Sequence, residues 1–135
     1  MKRISYVVVA TLLLAMVVIA DNVVVCKAQN LDSLAPVNDN LFEVVRTNIS
    51  HPQLNNIKTV VYASTQFEGK NLAPNRVKYI SDFLNKLYPE QIWNVIENYV
   101  EGYIYSDQYV NMKVYAFGYE NHQRRDWIQY YIFTI

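Results

Sequence analysis

Residues 80–118 read I-S-D-F-L-N-K-L-Y-P-E-Q-I-W-N-V-I-E-N-Y-V-E-G-Y-I-Y-S-D-Q-Y-V-N-M-K-V-Y-A-F-G, and two periods meet inside them. Ile80, Phe83, Leu84, Leu87 and Tyr88, with Val77 upstream, fall on one helical stripe. Pro89 ends that helix, because its ring carries no amide hydrogen and clashes with the preceding turn. From Trp93 onward the period drops to two. Met112, Val114 and Ala116 share one face of a strand, and Lys113, Tyr115 and Phe117 share the other. Gly102 and Gly118 punctuate this tyrosine-rich ladder.

Upstream, Pro74 suits the first turn of the same helix. Leu54, Ile57, Val60, Val61 and then Ser64 or Phe67 recur at helical spacing, with Gly69 as a stop. The β-branched run Thr59-Val60-Val61 is a weak helix former. Leu41 to Ile49 has strand composition, and His51-Pro52 ends it. Downstream, strands are expected at Trp93–Ile96, Gly102–Ser106, Val110–Phe117 and Trp127–Ile135, with a polar hairpin loop over 118–126. The order is β-α-α-β-β-β-β. The fold class is α+β: one strand and two consecutive helices followed by a four-strand antiparallel sheet.

With 135 residues the chain holds one domain, and 52% hydrophobic content gives it a core to bury. Net charge is zero, which leaves no basic excess to hold phosphates and argues against nucleic acid. Lys2 and Arg3 followed by the apolar run Tyr6–Ala20 have the form of a signal peptide. Cleavage sites fit after Ala20 and after Ala28, and an uncleaved anchor through Val23–Val25 fits the same composition. Cleavage after Ala28 removes Cys26, the one cysteine, so no disulfide framework is expected. The expected layout is a signal peptide over 1–28, a polar linker over 29–43 and a domain over 44–135, in the secretory pathway or outside the cell.

The order of elements and several spacings resemble the small dynein light chains. The resemblance covers Val44 to Ile135. Lys86-Leu87-Tyr88 matches the family's Lys-x-Tyr at the end of the second helix. Trp93 follows, then Ile96 three residues later, Gly102 nine after the Trp and Gly118 sixteen further on. Ala63, Glu68, Asn71 and Asn48 also stand where the family has the same types. One residue is inserted between Tyr88 and Trp93, and the last hairpin is longer.

The resemblance implies a homodimer, with no enzymatic activity and no cofactor, that takes short linear peptide segments of other proteins by strand addition at a dimer groove. Carried over by position, the groove strand is Glu101, Gly102, Tyr103, Ile104, Tyr105, Ser106 and Asp107. Gly102 would let another backbone approach. Met112, Val114 and Ala116 would be the groove floor. Asn48 would sit beside the groove, and Asn75 at the start of the second helix, where free amides meet a peptide. The chain departs where the family has Phe-Gly-Ser-Tyr-Val-Thr-His-Glu. Here Glu101 to Gln108 read E-G-Y-I-Y-S-D-Q, while Asn94 replaces a His and Asn98 a Gly. These changes, with a leader, argue against dynein intermediate chain as the ligand.

Other chemistry is sparse. His51 and His122 are the only histidines, and His122 with Glu120 and Asp126 reads as a solvated turn rather than a metal site. No G-x-S-x-G or His-x-x-x-His occurs. Glu97 and Glu101 read as exposed strand acids rather than a catalytic pair. Asn48-Ile49-Ser50 is a glycan acceptor sequence. The reading from another class is a secreted cystatin-like protease inhibitor, for which Asn98 to Gly102 approximates a Q-x-V-x-G loop. Two helices before the sheet and the missing Pro before Trp127 stand against it.

Overall fold

The structure is a computed structural model. It describes residues 15–20, 23–28, 31–69, 71–99, 101–116 and 125–135. Its central strand β6 (Tyr109–Ala116) buries Val110, Met112, Val114 and Ala116 and turns the residues between them outward. That alternation is what a sheet covered on one side requires. Strand β3 (Phe42–Thr47) pairs with one edge of β6, with a register irregularity between Val44 and Arg46. Strand β7 (Asp126–Thr134) pairs with the other edge, and β5 (Trp93–Glu97) lies outside β7. All pairings are antiparallel, and the sheet order is β3-β6-β7-β5.

Helices α1 (His51–Ser64) and α2 (Leu72–Leu87) cover one face. Ile57, Val60 and Val61 of α1 and Ile80 and Leu84 of α2 meet Trp93, Val110, Met112, Val114, Ile128, Tyr130 and Ile132 in one core. Val60 and Val61 are fully buried, so packing overrides their weak propensity. Truncating a core side chain such as Leu84 to Ala costs roughly 2–5 kcal/mol.

Helix α1 stops at Ser64, well before Gly69. The Ser64 hydroxyl donates to the Val61 carbonyl at 2.6 Å and the Thr65 hydroxyl donates to that of Tyr62 at 2.6 Å. The Thr65 and Gln66 amides then bond Tyr62 and Ala63, tightening the last turn. Pro52 sits in the first turn of α1. Helix α2 ends as expected, with the Tyr88 amide on the Leu84 carbonyl and Pro89 next.

Two readings need correction. The sheet is four-stranded because the first strand, β3, joins it, and among the described residues three strands follow the helices rather than four. Gly102 to Ser106 is not a strand, since among the described residues no strand lies beside it to complete a ladder. Toward the N-terminus, β1 (Ala15–Ala20) and β2 (Val23–Ala28) pair with each other, and β2 also pairs with β4 (Glu68–Gly69). The basic residues Lys2 and Arg3, much of the apolar run behind them, and the loop with Glu120 and His122 lie outside the described residues. Among the described residues, no helix is long and apolar enough to cross a membrane.

Candidate functional site

Strand β5 is the outer edge of the sheet beside β7. Its bonds to β7 fall on even-numbered residues: the Ile92 carbonyl accepts from the Ile135 amide, and the Asn98 amide donates to the Gln129 carbonyl at 2.7 Å. The main-chain groups of Trp93, Val95 and Glu97 therefore point away from the sheet. Those of Trp93 are already occupied. Its N–H donates to Asn85 Oδ1 at 2.7 Å, and its carbonyl accepts from Ser81 Oγ at 2.8 Å and Asn85 Nδ2 at 3.4 Å. Ser81 and Asn85 lie one turn apart on α2, which also places Asn85 Nδ2 3.3 Å from Ser81 Oγ.

At the far end of β5 a buried charge cluster pins Glu97. Arg76 Nε donates to Oε1 at 2.8 Å and Nη2 to Oε2 at 2.6 Å, with both side chains only 5% exposed. Tyr130, opposite Glu97 in the ladder, donates its hydroxyl to Oε1 at 2.7 Å. Burial lowers the Arg76 pKa, but the bond to Glu97 and the nearby charges more than reverse this, so the net shift is upward. Burial first, and the Glu97 charge second, push the Tyr130 phenol far above its ordinary value. The next residue, Asn98, turns in the left-handed region at φ 63°, a conformation Asn tolerates better than most side chains.

Beyond it, Tyr99 packs on the face of the sheet turned away from α1 and α2. The Tyr99 ring lies 4.7 Å from that of Tyr131, which also stacks on Tyr109 and meets Phe133. Gly102 is approached by Tyr99, whose hydroxyl would lie 3.2 Å from an added Cβ, and not by another backbone. Tyr103 and Tyr105 are 80% and 85% exposed, with rings 4.8 Å apart, as neighbours on one side of an extended chain. Ser106 Oγ then lies 2.6 and 2.7 Å from the carbonyls of Gln108 and Thr134, to either of which its one proton can be donated. Asn48 clamps the same end: its Nδ2 donates to the Asp107 carbonyl at 2.9 Å and its Oδ1 accepts from the Tyr109 amide at 2.9 Å.

The expected site residues thus divide. Asn48 meets the Glu101–Asp107 run only at its last residue, through the Asp107 carbonyl. Met112, Val114 and Ala116 do not join them. They share a face as expected, but it is the face under the helices, where Met112 and Val114 are 0% exposed and form core rather than a groove floor. Asn75 bends its Nδ2 back onto the Asn71 carbonyl at 2.7 Å. Glu97 is buried in its ion pair, not an exposed strand acid, while Glu101 is exposed. Among the described residues, no group of His, Cys, Asp and Glu is arranged to hold a metal ion.

Ser81, Asn85, Arg76 and Tyr130 were not singled out from the sequence. Arg76 had a readable signal: Leu72, Arg76, Ile80 and Leu84 recur every four residues, so a charge sits on the apolar stripe. Asn94, opposite in phase to Trp93, carries a covered Nδ2 with no hydrogen-bond partner among the described residues. No family model, no curated protein and no solved structure matches this chain.

Proposed function

We propose that the chain is a non-enzymatic interaction module of the dynein-light-chain kind, a homodimer that binds extended peptide segments by strand addition. The observation that carries this reading is a pair of complementary deficits. Among the described residues, strand β5 has an unpaired edge at Val95 and Glu97, and the segment 101–106 is exposed, alternating and without a strand beside it. An open edge next to an unpaired segment is a standing invitation to pair with another chain. The order β3-β6-β7-β5 supports the reading too, because it separates β5 from β6 and makes the connection between them a crossing segment rather than a hairpin. The aromatic face of Tyr99, Tyr109, Tyr131 and Phe133 suits burial against a second copy.

The peptide would lie along the Glu101–Asp107 segment, with Asn48 at its end. Tyr103 and Tyr105 lead the side-chain contacts, in place of the buried Met112, Val114 and Ala116. The leader over 1–28 and a secretory destination belong to the same proposal, and N-terminal sequencing of exported protein tests them. Asn98–Gly102 leaves an edge strand instead of joining two neighbouring strands, which counts against a cystatin-like wedge. A peptide-array pull-down tests the function. Capture of extended peptides, lost on Tyr103→Ala/Tyr105→Ala, is the expected result. An array that captures nothing sinks the peptide-binding reading.

A further inference from the structure

The outer edge of β5 is not open along its whole length. Side chains of α2 act at Trp93 as a strand would, Asn85 accepting its N–H and Ser81 donating to its carbonyl. Past Trp93 the edge presents Val95 and Glu97. At Asn98 the left-handed turn returns the amide to Gln129 and the edge ends. The open window is bounded at one end by a pair of polar side chains and at the other by the Arg76–Glu97–Tyr130 cluster.

We propose that Ser81 and Asn85 are an edge stop that sets the register of a strand added to β5. The added strand is the Glu101–Ser106 segment of a second copy, pairing at Val95 and Glu97 and ending short of Trp93. The inference rests on the homodimer reading above and adds to it the residues that fix how the copies align. The occupant follows from the chain's own path. Tyr99 rests on Tyr131 and Ser106 on Thr134, and the described residues between them do not pair with their own β5 edge. One chain therefore carries both an unfilled edge and an unfilled strand, and a two-fold pair satisfies both at once. Without a stop, β5 would offer a longer edge on which a strand could slip by two residues and still keep its side chains on the same face. A pair of side chains already bonded to Trp93 removes that alternative.

Amide hydrogen exchange read residue by residue across a dilution series, beside sedimentation equilibrium on the same samples, tests this. The Trp93 amide is expected to exchange slowly at every concentration, because Asn85 holds it in each copy. The Val95 and Glu97 amides are expected to be protected in the dimer and to lose that protection on dilution. In Ser81→Ala/Asn85→Ala, protection at Trp93 is expected to become concentration-dependent. A dimer in which Val95 and Glu97 exchange as fast as in the monomer overturns the edge pairing and leaves the homodimer standing. A dimer whose Trp93 amide loses protection on dilution in the unsubstituted protein overturns the stop. A mass that stays monomeric throughout overturns the homodimer reading and this inference with it. The unsubstituted protein decides the register, so a substituted chain that fails to fold does not rescue the proposal.

Discussion

Alkaline pH probes the buried cluster directly. Tyr130 is 0% exposed, and its hydroxyl donates to a carboxylate that Arg76 grips with two bonds. Ionising this phenol would strand a second negative charge beside Glu97 in the core, so its folded-state pKa stands far above its unfolded value of about 10. Below about pH 10 the phenol keeps its proton in both states and its contribution to stability is fully present. Above that, the unfolded chain releases the proton and the folded chain does not, so stability falls by about 1.4 kcal/mol per pH unit. At pH 11.5 the loss is roughly 2 kcal/mol, which lowers the midpoint of a domain this size by about 8–16 °C. Tyr131, raised by burial and then by Tyr99 and Tyr109, acts in the same direction. Thermal and urea unfolding from pH 8 to 11.5 would measure the slope. Tyr130→Phe should cost about 1–2 kcal/mol at neutral pH, since Glu97 Oε1 loses a donor, yet should be less steep in alkali. A substituted chain that loses stability as steeply as the original would show that Tyr130 is not the group responsible.

Arg76→Met should destabilise by about 3–5 kcal/mol in urea unfolding, because it leaves Glu97 buried without a counter-charge. Adding Glu97→Met should recover much of that loss, which a purely steric account would not produce. Asn48→Ala should cost about 1–2 kcal/mol and speed amide exchange at Tyr109, whose N–H loses its acceptor. Asn98→Gly should be close to neutral, whereas Asn98→Val should cost about 1–2 kcal/mol through the left-handed turn, both read from the urea midpoint.

Much of the scaffold could be read from residue pattern. The period of two in β6 put Met112, Val114 and Ala116 on one face, and the stripe ending at Pro89 gave α2 its end. The groove floor came from the resemblance by position, and alternation alone, which does not say which face the helices cover, could not correct it. The pattern of Gly102 to Ser106 is genuinely strand-like, but pattern carries no information on whether a neighbouring strand exists in the same chain. The spacing carries α1 toward Gly69 because the hydroxyls that close it, Ser64 and Thr65, give no stop signal in a residue pattern. Ser81 and Asn85 gave no signal either. Two polar residues one turn apart acquire a role only when the chain beyond Pro89 brings Trp93 beside them. Arg76 on the apolar stripe was the one missed residue that the sequence alone could have flagged.

The central claim is that the unpaired edge and the unpaired segment find each other between two copies. Sedimentation equilibrium of the protein over a range of concentrations tests it most directly. The expected outcome is a two-fold increase in mass with rising concentration, weakened by Ile104→Pro. A single monomeric mass at every concentration would contradict it.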